Sequence, residues 1–197
     1  MKCLVVIAHP LAESLCSTLA ARTVEALNAA GHQVVVEDLY KGNFNAVLTA
    51  VERQSYYHMP YDCSAVQGEV ERLLAAEAMV LLFPTWWFGF PAILKGWLDR
   101  VWGPGIAYDH ASDYGPIKPK LLHLRRMLVV TTLGSPWWVD LLVMRQPVKK
   151  VIKSALLQAC APKCKLEMLS LYKSESLTDT QVKRFTERVV RSLDSWV

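Results

Sequence analysis

The stretch Phe83-Pro84-Thr85-Trp86-Trp87-Phe88-Gly89-Phe90-Pro91-Ala92-Ile93-Leu94-Lys95-Gly96-Trp97-Leu98-Asp99-Arg100 decides the fold of this chain. The apolar run that leads into it, residues 78–83, is typical of a buried strand. The apolar residues after Pro91 recur at helical spacing, and Pro91 itself fits the first turn of a helix, where a missing N–H costs nothing. The stretch therefore predicts a strand, a short loop and a helix, with three consecutive aromatic residues, Trp86 to Phe88, in the loop.

The three aromatic residues of this loop have two interpretations. Aromatic clusters more often belong to a core than to a binding site, but loops lie at the surface, where large apolar rings are unfavourable unless a ligand or a partner covers them. A loop at the carboxyl end of a parallel strand is also the place where α/β sheets bind ligands. We therefore interpret the loop as a flat apolar wall for a planar ring system.

Strand-like and helix-like segments alternate along the rest of the chain. The predicted strands are residues 2–8, 33–38, 78–83, 126–132 and 164–171. The predicted helices are residues 14–30, 65–76, 91–102, 147–160 and 178–195, and residues 43–62 and 103–119 are predicted to be irregular. This alternation implies a parallel sheet with helices on both faces, joined by right-handed crossovers into a doubly wound α/β fold. Five strands predict the flavodoxin-like order 2-1-3-4-5 and a single flavodoxin-like domain over residues 1–197.

Composition and charge exclude several classes of function. The formal net charge of +4 is spread along 197 residues, and no nucleic-acid-reading motif occurs, so we expect no nucleic-acid partner. No stretch approaches the roughly 20 apolar residues that span a bilayer. The apolar N-terminus is followed at once by His9-Pro10, so we interpret it as a first strand rather than a signal peptide. These features favour the cytoplasm.

The residue types that bind metals do not form a convincing site. The five cysteines are odd in number, and no second pair completes a zinc site with Cys160 and Cys164. Asp109, His110 and Asp113 lie close together in the sequence, but a loop of this kind is more often simply polar. We expect no metal, and free thiols in a reducing compartment.

Two further loops follow strands that should end at the same edge of the sheet. His9 precedes a predicted helix that starts near Ser14, and the amide N–H groups at a helix N-terminus can hold a phosphate. Because the segment has no Gly-rich phosphate loop, it is by itself better explained by Ser14 as an N-cap and His9 as a turn residue. Thr131 and Thr132 supply hydroxyls and Gly134 lets the backbone approach a ligand closely, although these residues could simply end a strand and form a turn. Three such loops at one edge favour ligand binding.

The quoted stretch closely resembles the central motif of the NAD(P)H:quinone oxidoreductases, the DT-diaphorase family of flavodoxin-like flavoproteins. Ala8-His9, Asp38-Leu39-Tyr40, Ala107-Tyr108 and Thr131-Thr132 with Gly134 are also similar to that family. The resemblance covers about residues 1 to 135, and beyond them only the layout is similar.

The resemblance implies a tightly held flavin, commonly FAD, that takes hydride from NADH or NADPH and passes two electrons to a quinone or similar acceptor in the same place. The flavin contacts that it implies are His9, Leu15 and Cys16 near the phosphates, Pro84, Thr85, Trp86, Trp87 and Phe88 along the isoalloxazine ring, and Thr131, Thr132 and Gly134 on its pyrimidine side. Tyr108 and His110 would line the pocket above the ring and contact the substrates.

The chain departs from the family after Gly134. The better-studied members place a tyrosine and a histidine soon after the Gly-rich turn to support charge on the reduced flavin, and residues 135–140 contain neither. Arg145 could stabilise an anionic reduced flavin in their place. Tyr108 and Arg145 are therefore the two candidate catalytic residues. The chain is also shorter than those enzymes at its C-terminus, where contacts to an adenine portion would lie, so FMN is an alternative to FAD.

These observations lead to one leading function and one alternative. The leading function is a flavin-dependent NAD(P)H dehydrogenase that acts on quinones, and the alternative is a flavodoxin-like regulatory or ancillary subunit of another protein, such as an ion-efflux system. Aromatic residues in the long loop and at Trp137-Trp138 predict a homodimer with its active sites at the interface. One apolar pocket, between the aromatic loop and Tyr108, predicts ping-pong kinetics.

Overall fold

The computed structural model describes residues 1–58, 60–111 and 115–196. Its strands are β1 (Lys2–Ile7), β2 (Gln33–Asp38), β3 (Ala78–Pro84), β4 (Tyr108–Asp109), β5 (Lys118–Pro119), β6 (Arg126–Leu133) and β7 (Lys165–Tyr172). Five of them form a parallel sheet in the order β2-β1-β3-β6-β7, and β4 pairs with β5 in a separate two-stranded ladder. Numbered within the main sheet, this is the order 2-1-3-4-5, so the predicted doubly wound fold is confirmed.

Helices cover both faces of this sheet. They are α1 (Leu15–Ala29), α2 (Ala50–Ser55), α3 (Gln67–Ala75), α4 (Ala92–Val101), α5 (Pro147–Lys150), α6 (Gln158–Cys160) and α7 (Asp179–Asp194). One apolar core lies between the sheet and the α1 and α7 helices, and a second lies between the sheet and the layer of α3 and α4. Side chains of a strand alternate between the two cores, as those of Leu4 and Val5 do, because successive residues of a strand point to opposite faces.

Three segments differ from the sequence-based expectation. Residues 43–62 were expected to be irregular but include α2, whose N-cap Thr49 and residue Glu52 form a reciprocal capping box. Residues 103–119 were expected to be a loop but contain the β4–β5 ladder. The helix predicted over residues 147–160 is divided, because a π-helical stretch, Val151–Leu157, separates α5 from α6.

The first turn of α4 also differs in detail. Pro91 is the N-cap of α4 rather than its first helical residue, with φ −54° and ψ 143°. The prediction that Pro91 lies inside the first turn was therefore wrong by one position. The physical reason still holds, because an N-cap, like the first turn, has an N–H that no helix carbonyl accepts.

A clamp between α2 and α4 fixes the segment that follows β2. Arg100 and Glu52 are each 3% exposed, and Nη2 of Arg100 lies 2.7 Å from Oε1 of Glu52. Arg100 also donates to the backbone carbonyl of Asn45. The backbone of Ala46 packs so closely on α4 that a β-carbon at Gly96 would overlap its carbonyl oxygen. The clamp therefore combines a buried ion pair with a contact that only glycine allows.

Candidate functional site

The carboxyl ends of the three central strands are joined by hydrogen bonds beyond the strands themselves. The N–H of Ala8 donates to the carbonyl of Leu82, and the N–H of Thr85 donates to the carbonyl of Thr132, each at 2.9 Å. The hydroxyls of Thr85 and Thr131 are 2.7 Å apart, and Thr131 is fully buried. Since its hydroxyl is used inside the sheet, Thr131 positions the strand ends, whereas the half-buried Thr85 and Thr132 lie nearer the surface.

The aromatic loop after β3 is a tight turn, which we call the aromatic turn (residues 86–89). The N–H of Gly89 donates to the carbonyl of Trp86 at 2.9 Å, and the N–H of Trp86 donates back to Gly89 at 3.3 Å. The two central residues, Trp87 and Phe88, have φ +50° and +54°. Positive φ at both centres defines a type I′ turn, which usually holds Asn or Gly because the left-handed region is unfavourable for bulky side chains. Such strain concentrates at functional sites.

A cavity of about 220 Å³ opens beside the aromatic turn. Its lining residues are Thr85, Trp87, Phe88, Leu133, Gly134 and Ser135. The Ser135 hydroxyl is buried there, and no group among the described residues forms a hydrogen bond with it. Buried polar groups normally have a hydrogen-bond partner, so the Ser135 hydroxyl is available for a hydrogen bond with a ligand. Ser135 was not among the predicted flavin contacts, although its place directly after Gly134 is a signal that could have identified it.

Gly134 has a neighbour that the sequence did not suggest. A β-carbon built at Gly134 would lie 3.3 Å from Oε1 of Glu175, a residue of the loop that follows β7. The missing side chain therefore leaves room for a carboxylate. Glu175 itself is exposed, so solvent screens the effect of its charge on the cavity.

The loop after β1 provides hydrogen-bond donors at the start of α1. Ser14 is the N-cap of α1, and its hydroxyl accepts the N–H of Ser17 at 3.1 Å, so the N-cap interpretation is confirmed. Within the described part of the chain, the N–H groups of Leu15 and Cys16 in this first turn have no acceptor. Free amides at a helix N-terminus attract an anion.

The side chains of this loop have distinct roles. The Cys16 thiol is buried in the core, and burial, with a smaller contribution from the charge of Asp38, raises its pKa to about 12. The thiol is therefore neutral, and Cys16 can meet a phosphate only through its N–H. Nδ1 of His9 contacts the backbone of Leu11, with the amide nitrogen at 3.1 Å and the carbonyl oxygen at 3.3 Å, so Nε2 is the ring nitrogen that would meet a ligand. The His9 ring lies 6.5 Å from that of Trp86.

Tyr108 and His110 lie apart from the cavity beside the aromatic turn. Tyr108 lines a second cavity of about 270 Å³ together with Tyr56 and Phe90, and neither Trp137 nor Trp138 contributes to its lining. The single pocket that the sequence predicted is therefore two cavities within one chain. The aromatic turn contributes Phe88 to the first cavity and is followed directly by Phe90 in the second.

Arg145 is also away from the first cavity. It is exposed, has φ +56° and does not belong to the lining of that cavity. It follows a π-helix, Val139–Val143, whose surroundings are unusually apolar at the surface. The side chains there that are between 40% and 63% exposed are Trp137, Trp138, Leu141, Leu142, Val143 and Met144. The charged group that does adjoin Gly134 is Glu175, of opposite sign to Arg145.

Two classes of feature are not observed in the part of the chain that the structure describes. Asp113, one of the residues considered for a metal, lies outside the described residues. Among the described residues, no three His, Cys, Asp or Glu side chains are grouped so that they could hold a metal ion. No described helix combines the length and the apolar character that crossing a bilayer requires.

Comparisons with known proteins agree with the fold described above. The sequence profile of a protein family described as flavodoxin-like fold matches residues 1–192. NAD(P)H dehydrogenase [quinone] 1 of Rattus norvegicus is 35% identical over 152 aligned residues, and the match covers 68% of this chain and 54% of the rat protein. This chain thus spans about half the length of that relative.

Solved structures with the same fold cover nearly the whole chain. The NAD(P)H:quinone oxidoreductase from Methanothermobacter marburgensis has a TM-score of 0.81 and 26% identity, over 98% of this chain and 94% of that one. An FMN-dependent NADH-azoreductase from Bacillus anthracis, solved in complex with FMN, has a TM-score of 0.75 over 100% of this chain and 99% of that one. Its identity is 15%, so it shows the fold alone.

Proposed function

This chain belongs to the family with the flavodoxin-like fold, and from that premise we propose that it is a flavin-dependent NAD(P)H dehydrogenase that passes two electrons from a nicotinamide to a quinone or similar acceptor. The observation that carries the proposal is the aromatic turn. Trp87 is 99% exposed, and its backbone is held in a strained conformation beside the Ser135 hydroxyl, which has no hydrogen-bond partner in the part of the chain that the structure describes. A free protein gains nothing from this arrangement, whereas a planar ligand with a polar edge would cover the ring and pair the hydroxyl.

The residues present fit a flavin. Trp86, Trp87 and Phe88 would pack on the ring system, with Pro84 and Thr85 at the base of that wall. The polar edge of the ring would meet Thr132, the backbone at Gly134 and the hydroxyl of Ser135, while Thr131 would act only through Thr85. The phosphate would take the free N–H groups of Leu15 and Cys16 and a hydrogen bond from His9. Among the described residues, the Ser135 hydroxyl and the N–H groups of Leu15 and Cys16 have no hydrogen-bond partner within the protein.

The chemistry divides between the cofactor and the protein. A bound flavin supplies the capacity to accept and return a hydride, which belongs to the cofactor rather than to any side chain. The protein's residues orient the ring, exclude water from one of its faces and hold the phosphate. FAD and FMN are both compatible with these contacts, since the free amides at α1 serve a phosphate that both carry. NADH or NADPH is the proposed electron donor.

Tyr108 and His110 are proposed to contact the nicotinamide and the quinone. Tyr108 lines a different cavity from the aromatic turn in one chain, and His110 packs on the Tyr108 ring, which supports a homodimer as the active form. The exposed apolar side chains around the π-helix are a further argument, because a patch of that kind is rare on a monomer. Sedimentation at micromolar concentration should give the mass of a dimer, and a monomer alone would contradict this part of the proposal.

Steady-state oxidation of NADPH with menadione as the acceptor is the direct test of the function. We expect the purified protein to carry or take up a flavin, to absorb visible light and to oxidise NADPH only when menadione is present. Both substrates are proposed to bind at one place in turn. Double-reciprocal plots of the initial rate against NADPH concentration, at several fixed menadione concentrations, should therefore give parallel lines. A protein that neither binds flavin nor oxidises NADPH would contradict the proposal, and intersecting lines would contradict the shared place.

The relative and the solved structures named above are oxidoreductases by name, which favours the dehydrogenase over the regulatory or ancillary subunit. Cytoplasmic location stays part of the proposal. It is supported by the five cysteines, all of which are free thiols. Arg145 stays a proposed catalytic residue only if the dimer brings its exposed guanidinium to a flavin.

A further inference from the structure

An aromatic wall extends from the β4 strand to α2. The rings of Tyr108 and His110 meet edge to face with centroids 5.2 Å apart. On its other side, His110 stacks on Tyr57 with centroids 5.1 Å apart and planes inclined by 29°. Tyr57 follows α2 and is 66% exposed. Tyr57 therefore adds a third ring to the two residues proposed to contact the substrates, and no local sequence pattern indicated this contact.

Arg53 gives this wall a positive edge. Its guanidinium carbon lies 5.0 Å from the centre of the Tyr57 ring and 5.5 Å from that of Tyr56. The side chain is exposed, and within the described residues it forms no ion pair, in contrast to Arg72 and Arg100. A guanidinium that stacks on a ring keeps the N–H donors at its edge free, and these donors match the geometry of an oxyanion.

We propose that Arg53, held by the ring of Tyr57, recognises an oxyanion carried by the planar substrate that packs on the wall of Tyr57, His110 and Tyr108. This inference rests on the proposed function, because that function places a nicotinamide and a quinone at Tyr108. The oxyanion has two sources, a sulfonate or carboxylate on the acceptor and the phosphate that distinguishes NADPH from NADH. Arg53 and Tyr57 are thus specificity-determining residues rather than part of the hydride chemistry.

The test compares matched substrates in Arg53→Gln and in a control variant, Arg184→Gln. Arg184 is an exposed residue of α7, on the opposite face of the sheet, so the control removes the same charge elsewhere. The acceptors are menadione and 1,4-naphthoquinone-2-sulfonate, which share a ring system and differ in charge. The donors are NADH and NADPH. Because Arg53 has no ion pair to lose, Arg53→Gln should fold, and its melting temperature is measured alongside.

We expect kcat/KM for the sulfonate, relative to menadione, to fall about fivefold in Arg53→Gln, or the preference for NADPH over NADH to fall by that factor. The first result assigns the oxyanion to the acceptor and the second to the donor. Arg53→Lys should recover part of either preference, and added salt should weaken it in the wild type. Arg184→Gln should change neither ratio.

An Arg53→Gln variant in which both ratios equal those of the wild type overturns the inference. If the protein turns over no quinone, the proposed function fails by itself, and the inference is then tested by binding, which needs no turnover. Calorimetric titration compares the two quinones, and NADH with NADPH, in wild type and Arg53→Gln. Weaker binding of the sulfonate alone or of NADPH alone in Arg53→Gln supports the inference, and unchanged binding of both refutes it.

Discussion

The clamp hides two charged side chains from water, whereas the aromatic turn exposes two tryptophans to it. Glu52 and Arg100 are each 3% exposed and hydrogen-bonded to each other, while Trp86 and Trp87 are 43% and 99% exposed. The first arrangement is tolerated because each charge has a partner, and the second because the turn is closed by two backbone hydrogen bonds. A protein selected only for stability would have no use for the turn, so the difference separates framework from binding surface.

Removing one charge of the clamp should have the largest effect, and it tests whether the buried ion pair stabilises the protein. Arg100→Met leaves the Glu52 carboxylate buried without its cation, which costs about 3–5 kcal/mol in the free energy of unfolding. Urea denaturation of the flavin-free protein measures this loss. The matched control is Arg22→Met, because Arg22 pairs with Glu25 on the surface, where both side chains are about 60% exposed. The control should change stability by less than about 1 kcal/mol.

Equal losses in the two variants would mean that the clamp contributes no more than a surface ion pair. Its burial would then be incidental to the stability of α2 and α4.

The sequence was sufficient for the framework of the sheet but not for the clamp. Buried strands such as β3 can be predicted from the sequence because every residue in them is apolar. The order of the strands in the sheet follows from their number and their alternation with helices. The contact between Gly96 and Ala46 joins residues far apart in the chain, so no local pattern reports it. Thr49-Ala50-Val51-Glu52, by contrast, is a capping-box pattern that could have predicted α2.

The candidate site was predictable in its position and less so in its geometry. The loop composition located the aromatic turn, but the positive φ of Trp87 and Phe88 could not be predicted, because bulky residues rarely adopt it. The separation of Tyr108 from the first cavity depends on how the β4–β5 ladder packs, which is also a non-local property. The stacking of Tyr57 on His110 could not be predicted either, because these residues are far apart in the sequence.

The pH dependence of stability sharpens the comparison, since of the two regions the clamp contains a buried carboxylate and the aromatic turn contains none. Burial favours the neutral form of Glu52, but hydrogen bonds from Arg100 and Thr49 outweigh it and lower the pKa of Glu52. A pKa lowered by folding stabilises the protein above the unfolded value of about 4.3, and this contribution is lost as the pH falls through the folded value.

Glu52→Gln should therefore be less stable than wild type by about 1.5–3 kcal/mol at pH 7, the range for hydrogen bonds to charged groups. The difference should shrink as the pH falls below about 4, when the wild-type carboxylate takes up a proton. Denaturation curves at pH 7, 5, 4 and 3 measure it, with Glu25→Gln as the exposed control. A difference that stays constant over this range would show that the charge of Glu52 does not contribute.

The aromatic turn should show the opposite behaviour, with little effect on stability and a clear effect on the ligand. Trp87→Ala removes an exposed ring, and an aromatic contact contributes roughly 0.5–1.5 kcal/mol beyond burial, so flavin affinity should fall several-fold. Leu122→Ala is the control, because Leu122 is 55% exposed and does not line the cavity. Fluorescence titration with FMN and FAD measures both variants.

Trp87→Gly separates strain from binding at the same position. Glycine adopts positive φ freely, whereas another residue in the left-handed region costs roughly 1–2 kcal/mol, so the flavin-free Trp87→Gly protein should unfold at higher urea than the wild type even as its flavin affinity falls. A stabilised protein with weakened flavin binding is the signature of a turn kept for its ligand. If Trp87→Gly instead lost stability and kept its flavin affinity, the ring at position 87 would be part of the framework, and the two regions would not differ in kind.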